Sequence, residues 1–462
     1  MMITSLNQKK TALLLVALGS FLIPFMGSSL SIALPLIGKD LTGSVILLSW
    51  LPTVFVLANT AFLLPFGKLA DIHGRKRIFT YGVVIYTAAS LLAALAPSIT
   101  LLIFGSFLQG FGCSLIFATA VALLSSVYPY KHRGEALGIF ITSVYIGLFL
   151  GPILGGFLGG TLGWRSIFLF NVPLGLFLLS LIVFKLKGEW KGSPDDKFDW
   201  KGAVIYVPSL IALMYGFTAL RTTGGLIIFI LGVAGFLIFI LQETRISNPL
   251  LKIREFRKRS TLLAAGAMLF VNIATTAMWT LLSLYLQYLL ALSPQVAALI
   301  LSSQPLMVAL FSPLVGRLSD KDDNRIFTIS GTLLITLGLL VLSGLNQHTE
   351  IWLIILGLVM VGVGLALFSP PATNIFMGCM KKENYGMASA TLSTMVYAGQ
   401  TLSLGILLFI LAVFLGNVQL NPSNFNLFLE SLKTAFTIFA VFSALGLLVS
   451  FFLGKYDDWK TC

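Results

Sequence analysis

The residues of this chain that could do chemistry gather in one short stretch. Residues 67–77 read GKLADIHGRKR, with a carboxylate at Asp71, glycines at Gly67 and Gly74, and the basic triplet Arg75, Lys76 and Arg77. A carboxylate there can meet the positive end of a helix or accept from an arginine in a charge-assisted pair. The glycines let two helix ends approach closely. A fainter copy, GRLSDKDDNR, runs over 316–325; in each, the aspartate (Asp71, Asp320) follows a glycine (Gly67, Gly316) by four residues and a basic residue closes the stretch. This is the chemistry of a latch, not of bond breaking. The three histidines and three cysteines are scattered, with no metal-ligand or disulfide spacing, so no metal and no cofactor is expected. A membrane enzyme such as an acyl or glycosyl transferase would need a nucleophile or an acid–base cluster near a bilayer face, and none is present.

The elements that must position this stretch are apolar helices. The 462 residues are 57% hydrophobic and only 10% charged, where a soluble chain carries about a quarter charged residues. An excess of 30 basic over 17 acidic residues would suggest nucleic acid in a soluble protein. Here its distribution points to a lipid surface, and no nucleic-acid partner is expected. Runs long enough to cross a bilayer fall at roughly 11–35, 47–66, 78–97, 99–126, 135–160, 166–185, 201–220, 224–242, 260–290, 294–315, 326–345, 351–378, 387–416 and 433–454. With both termini cytoplasmic, 26 of the 30 basic residues lie in inside loops and tails; only Lys39, Arg165, Arg221 and Lys433 face outward. That asymmetry is what the positive-inside rule demands. The expectation is a monomeric, multi-pass protein of the cell membrane whose basic loops meet anionic lipid.

An internal repeat sets the architecture. Gly67 and Asp71 recur at an offset of 249 as Gly316 and Asp320. At an offset of 252, Gly110 and Gly112 recur as Gly362 and Gly364, and Gly134, Ala136, Thr142, Val144, Tyr145 and Gly147 as Gly386, Ala388, Thr394, Val396, Tyr397 and Gly399. The repeat divides the chain into a six-helix bundle over 1–187, an inserted pair of helices with linkers over 188–259, and a second six-helix bundle over 260–462. The linker at 243–259 is basic and reads as an interfacial helix on anionic lipid or, equally, as a solvated connector.

These motifs resemble those of the major facilitator superfamily, in its fourteen-helix drug:proton antiporter branch. The stretch at 67–77 resembles the signature loop between helices two and three. The run Gly147-x-x-x-Gly151-Pro152-x-x-Gly155-Gly156 is similar to the helix-five signature of exporters, where small residues let helices pack closely, and GWRSIFLFNVPLG over 163–175 resembles the start of helix six. The resemblance implies an all-α membrane fold and an alternating-access transporter, an exporter of lipophilic drugs or metabolites with protons as a second partner. An uncoupled or anion-coupled facilitator of a small metabolite is the alternative. Two departures bear on coupling. Family members usually carry an acidic residue in helix one, where MGSSLSIALP here places Met26, and an arginine in helix four, where Ser106 stands. Neutral polar groups remain inside the spans: Gln109, Tyr145, Asn272, Trp279, Tyr285, Gln287, Gln304, Asn374, Tyr397 and Gln400. They suit a cavity for amphiphilic ligands, although buried amides and phenols also bond neighbouring helices. An unpaired cation at the midplane is costly, so the expected substrates are neutral, zwitterionic or anionic.

Overall fold

A computed structural model describes residues 6–128, 130–192, 196–220, 222–246, 249–250, 259–319, 324–378, 385–416 and 418–453. The first six helices are α1 (Leu6–Asp40), α2 (Val45–His73), α3 (Arg75–Ala94), α4 (Ile99–Val127), α5 (Tyr130–Leu162) and α6 (Arg165–Lys185). The inserted hairpin is α7 (Trp200–Thr218) and α8 (Thr223–Glu243). Then follow α9 (Arg259–Thr275), α10 (Met278–Leu284), a π-helical turn (Tyr285–Leu289), α11 (Pro294–Ser319), α12 (Asn324–Ser343), α13 (Ile351–Gly378), α14 (Tyr385–Phe414) and α15 (Phe425–Phe451). Among the described residues there is no strand, and 14 helical stretches are long and apolar enough to cross a membrane. With no water in the bilayer core, each backbone bond must be made within a helix or to a neighbour. Helix ends are capped accordingly: Ser44 Oγ accepts from Leu47 N and Thr222 Oγ1 from Gly225 N.

The spans differ from the sequence reading at several ends. The first begins at Leu6 instead of 11, and the last at Phe425 instead of 433. The larger difference is the ninth span, expected as one helix over 260–290. It breaks at Thr276–Ala277 and ends in the π-helical turn. No proline or glycine stands at the break. Instead, Thr276 Oγ1 donates back to the Asn272 carbonyl (2.8 Å), which bends a helix. The Ala277 N–H left over donates to Ser403 Oγ of α14 at 2.9 Å. The linker read as an interfacial helix or a connector lies outside the described residues over 251–258.

The repeated glycines do the same work twice. A Cβ at Gly110 would lie 2.2 Å from the Phe55 carbonyl, so α4 touches α2 there; at Gly362 it would lie 2.5 Å from the Gln304 carbonyl, where α13 touches α11. Gly112 packs α4 on α3 against Tyr86 and Gly82, and Gly364 packs α13 on α12 against Gly331. The facing glycines Gly82 and Gly331 are themselves related by the offset of 249, a pair the sequence comparison passes over. The hairpin α7–α8 lies outside the repeat. Leu64 of α2 packs with Tyr206 and Phe239, Met214 lies against Gly405 of α14, and the Phe217 ring packs at a tilt 5.5 Å from that of Phe409. It therefore rests along the seam between α2 and α14.

Candidate functional site

At the end of the bundle carrying Gly74, the latch stretch is fully engaged. Asp71 accepts from Arg75 at Nη2 (2.7 Å) and Nε (3.0 Å). Arg75 also reaches into α4, donating from Nη1 to the Ala122 carbonyl (2.9 Å) and to Ser126 Oγ. Of the two partners open to Asp71, the arginine is the one it takes. The carboxylate at the N-terminus of α3 is instead Glu189, from the linker after α6, which accepts from the N–H groups of Lys76 (2.9 Å) and Arg77 (3.1 Å). That placement satisfies two orphan donors and the positive end of the helix dipole. The same linker adds a backbone bond from Arg75 N to the Trp190 carbonyl (2.8 Å), another from Gly192 N to the Asp71 carbonyl (3.0 Å), and the ion pair of Asp196 with Lys68 (2.5 Å). Gly74 turns the chain at φ +122°, where a side chain would be strained and would meet Glu189. The sequence marked Asp71 and Arg75 but not the strap formed by Glu189, Trp190, Gly192 and Asp196; its only signal was the run of charges in the linker. The copy is packed more openly: a Cβ on Gly316 would meet no atom within 4 Å, and Asp320 lies outside the described residues.

The halves meet between the midplane and the opposite end, the one carrying Asp40. At the midplane, Thr60 Oγ1 of α2 lies 2.8 Å from Thr401 Oγ1 of α14, and Phe117 of α4 meets Tyr397 edge-on at 5.9 Å. Toward Asp40, Ser283 Oγ donates to the Ser31 carbonyl (2.5 Å), Gln287 Nε2 to the Ile32 carbonyl (3.0 Å) and Tyr288 Oη to the Pro35 carbonyl (3.4 Å). The Ser31 carbonyl is available because Pro35, four residues on in α1, has no N–H to give it. The π-helical turn presents Gln287 and Tyr288, and Ser283 lies just before it in α10. Such turns are uncommon and recur at functional sites. Further out, Gln419 donates to the Thr42 carbonyl (2.8 Å) and Val45 N to the Val418 carbonyl (3.1 Å).

The helix-five glycines divide their work. Gly147, Gly151 and Gly155 close on α1, where Ser29 Oγ donates to the Gly151 carbonyl (2.7 Å). Gly156 closes on Pro294 and Ala298 of α11, in the other half. Pro152 is buried beside them. Of the motif's glycines, Gly156 therefore packs across the halves, and Gly147, Gly151 and Gly155 pack within their own.

The polar candidates separate in space. Tyr397 lies at the midplane seam, and Gln287 in the closure toward Asp40. Tyr145, Asn272, Trp279 and Gln400 are half-buried, Asn374 is exposed and Gln304 is buried on α11. Asn272 donates to the Met268 carbonyl of its own helix (2.8 Å). Gln109 and Tyr285 point elsewhere. Gln109 is buried within its own half and donates to Ser90 Oγ of α3 (2.8 Å), and Tyr285 Oη donates to the Asn346 carbonyl (2.6 Å). Met26 is fully buried and receives the Asn171 amide at its sulfur (3.4 Å), while Tyr86 Oη donates to Asn171 Oδ1 (3.0 Å). An uncharged residue at position 26 thus has uncharged partners. Asn171 carries no signal in the sequence beyond its place in the 163–175 run.

Two matched bundles, a strapped loop at one end and a closure at the other form a transporter frame. The family model of the major facilitator superfamily matches residues 16–276 and 262–460. The chain belongs to the major facilitator superfamily. Among relatives of this transporter, the multidrug resistance protein Stp of Mycobacterium tuberculosis is 31% identical over 412 residues, 87% of this chain and 76% of Stp. The riboflavin transporter RibZ of Clostridioides difficile is 28% identical over 397 residues, 84% of this chain and 85% of RibZ. A bacterial homologue of the lysosomal transporter Spinster, solved inward-facing and unoccupied, superposes with a TM-score of 0.69 at 16% identity over 97% of this chain and 98% of its own. That last likeness bears on the fold alone.

Proposed function

We propose that this major facilitator transporter is an exporter of neutral, zwitterionic or anionic amphiphiles in the cell membrane, working as a monomer with both termini cytoplasmic. One observation carries the reading. The halves are tied by side-chain bonds to α1 backbone carbonyls toward Asp40. This is the form expected of one of two access states, open on the cytoplasmic side. The relatives named for multidrug resistance and for tetracenomycin C export support outward movement of lipophilic compounds, and the 26-to-4 distribution of basic residues supports the orientation. Residues 1–187 and 260–462 act as the rocking halves and 188–259 travels with them. The basic loops rest on anionic lipid.

Ligand contacts would come from the neutral midplane groups Tyr145, Asn272, Trp279, Gln304, Asn374, Tyr397 and Gln400. Beside Tyr397, the buried Asn59 amide interacts with the tyrosine side chain, and its Oδ1 has no hydrogen-bond partner. Protons couple at the membrane edge through Asp71 rather than at the midplane. A second reading, an uncoupled or anion-coupled facilitator, is favoured by Met26 standing where the resemblance implies an acid. Uptake into inverted vesicles under an imposed pH gradient separates the two. Gradient-driven uptake of an uncharged lipophilic drug, exceeding that of a quaternary ammonium dye and reduced in Asp71→Asn, is the expected result. Uptake indifferent to the gradient would favour the facilitator. Strong gradient-driven uptake of the quaternary dye, unaffected by Asp71→Asn, would overturn the substrate assignment.

A further inference from the structure

One layer inside the first half is polar where the second half is hydrocarbon. In the first half, a Cβ on Gly105 of α4 would lie 3.1 Å from that of Ala93 in α3, and one turn on Gln109 Nε2 donates to Ser90 Oγ (2.8 Å). The offsets of 249 and 252 turn Ala93 into Leu342, Ser90 into Leu339 and Gln109 into Val361. The geometry agrees, since a Cβ on Gly357, the equivalent of Gly105, would meet the Leu342 side chain at 2.8 Å. Ser106, on the Gln109 face of α4, becomes Leu358. Ser90, Ala93, Ser106 and Gln109 are all 0% exposed, as are the four aliphatic residues that replace them. The fold therefore accepts hydrocarbon at this layer, and polar groups there carry a desolvation cost that packing alone does not require.

Two oxygens of the polar layer are left over. The Ser90 hydroxyl gives its one proton to the Tyr86 carbonyl (2.7 Å), so toward Gln109 it can only accept. Gln109 must present its NH2 group to Ser90, which turns Oε1 away. Among the described residues, neither Gln109 Oε1 nor Ser106 Oγ has a hydrogen-bond partner. A buried helical serine can donate to a carbonyl three or four residues back, as Ser90 does and as Ser114 does to Phe111 (2.6 Å). Ser106 does not. Residues three apart on a helix are neighbours with Cβ atoms about 5–6 Å apart, a span that one water at about 2.8 Å from each oxygen covers. Ser90, Ala93 and Ser106 leave room where the second half has three leucines. Tyr86 does not fill it, because its Oη donates to the Leu22 carbonyl of α1 (3.2 Å) and to Asn171 of α6 (3.0 Å).

We propose that Ser106 and Gln109 form a binding site for one internal water molecule, present in the first half and absent from the equivalent layer of the second. Water fits the chemistry: it donates to the amide oxygen and exchanges a hydrogen bond with the hydroxyl, the two or more polar partners that a buried water needs. Two neutral oxygens are too few to replace the oxygen shell of a bare cation. The bound water completes a polar chain from Ser106 through Gln109 to Ser90 on α3. From the same helix, Tyr86 continues to Asn171 on α6, whose amide meets Met26 on α1. A fully satisfied network of this kind rigidifies a core, so the first half is cross-bonded through four helices where this layer of the second is held by apolar packing. The site does not depend on what the protein exports.

Magic-angle-spinning NMR on the full chain in proteoliposomes tests this. Magnetisation that starts on water is passed to the side-chain amides of protein labelled at glutamine and asparagine. Gln109 is identified by the signal lost in Gln109→Met. Asn171, equally buried but with its amide bonded to Met26 and the Ile167 carbonyl (2.9 Å), is the reference, identified in Asn171→Ser. At short mixing times Gln109 should gain magnetisation several times faster than Asn171, and equal rates would overturn the site. The transfer should vanish in Ser106→Leu, which copies the second half, weaken in Ser106→Ala and survive in Ser106→Thr, which keeps the hydroxyl. Should the leucine variant fail to fold, the alanine and threonine variants decide. Transfer unchanged in Ser106→Ala would remove Ser106 from the site and overturn the shared water. Replacing sodium by choline in the buffer should leave the Gln109 signal in place. A signal that moves with sodium would mean that a cation is bound there, and would overturn the assignment to water.

Discussion

The contact of α1 with α5 and that of the ninth span with α14 are the same joint built twice from different residues. Gly151 in α5 and Ser403 in α14 are related by the offset of 252, as are Phe25 in α1 and Ala277 beside the break. A Cβ on Gly151 would lie 2.8 Å from the Phe25 carbonyl, so the two helices touch backbone to backbone and α1 continues unbroken. In the second half, the residue at that place is a serine, and its hydroxyl accepts the N–H that the break at Thr276–Ala277 leaves without a helical partner. Pro24, equivalent to Thr276, does not break α1, whereas Thr276 does break its helix. Continuity here follows from what the neighbouring helix offers, not from proline content. A close glycine surface keeps the first half stiff. A hydroxyl acceptor stabilises a hinge in the second, and the hinge carries the donors Ser283, Gln287 and Tyr288 that close the Asp40 end.

The largest effect should come from filling the stiff joint. Gly151→Leu would force a side chain into a space where even a Cβ would lie 1.9 Å from Ser28 Oγ. Overpacking of this kind costs about 1–3 kcal/mol or more. Membrane abundance should fall steeply, measured by fluorescence-detected gel filtration of a tagged protein. Normal abundance and activity would mean that α1 and α5 are not packed as described. The hinge joint comes next. Ser403→Ala leaves the buried Ala277 N–H unsatisfied, a loss of about 1–3 kcal/mol. Ser29→Ala, on the stiff side, removes a hydroxyl from a carbonyl that α5 can still satisfy, at about 0.5–1.5 kcal/mol. Thermal unfolding in detergent should rank Ser403→Ala below Ser29→Ala, and the reverse order would break the comparison.

Much of this frame is legible in the sequence because it rests on composition and on glycine. Apolar length gives fourteen spans, and Gly110, Gly112, Gly362 and Gly364 mark the close approaches that define the repeat. The break at Thr276 leaves no such mark. Threonine and alanine are ordinary in helices, and only the presence of Ser403, 126 residues away, decides which carbonyl and N–H part company. The strap on the latch is hidden for the same reason, since Glu189 becomes a cap only when the end of α6 returns to the start of α3. Gln109 and Tyr285 show the converse. Polar type and depth suggest a cavity, but a facing serine or a loop carbonyl claims them first.

The Gly74 end sharpens the same contrast between a held half and a freer one. Asp71 is tied to Arg75, and a Cβ on Gly192 would lie 2.7 Å from both Asp71 Oδ1 and Arg75 Nη2. A Cβ on Gly316 in the second half would enter open space. A half-exposed ion pair contributes only about 0.2–1 kcal/mol. Asp71→Asn should therefore leave abundance unchanged and lower transport severalfold, the outcome expected of a bond made in only one of the two access states. Glu189→Gln should do the same more weakly, since an amide oxygen still caps α3. Full transport in Asp71→Asn at normal expression would make the latch a structural feature only.

The smallest and most directional effect is expected at Pro35. The Ser31 carbonyl accepts from Ser283 across the halves because proline withholds the N–H that an α-helix would supply. Pro35→Ala restores that N–H. The carbonyl then has a partner within α1 whether or not the second half is docked, and the cross-half bond loses part of its advantage. One net hydrogen bond is about 0.5–1.5 kcal/mol, which bounds the shift in the equilibrium between closed and open Asp40 ends to between about twofold and tenfold, toward open. Helix α1 should itself become no less stable, since alanine is the better helix former. Ser283→Ala should shift the equilibrium the same way, and the double variant little further than either alone, because both remove one bond. Double electron–electron resonance between nitroxides at Thr42 and Gln419, which are in contact across the closed end, would show a longer-distance population in each variant. A distance distribution unchanged in all three would mean that Ser283 follows the closure without holding it.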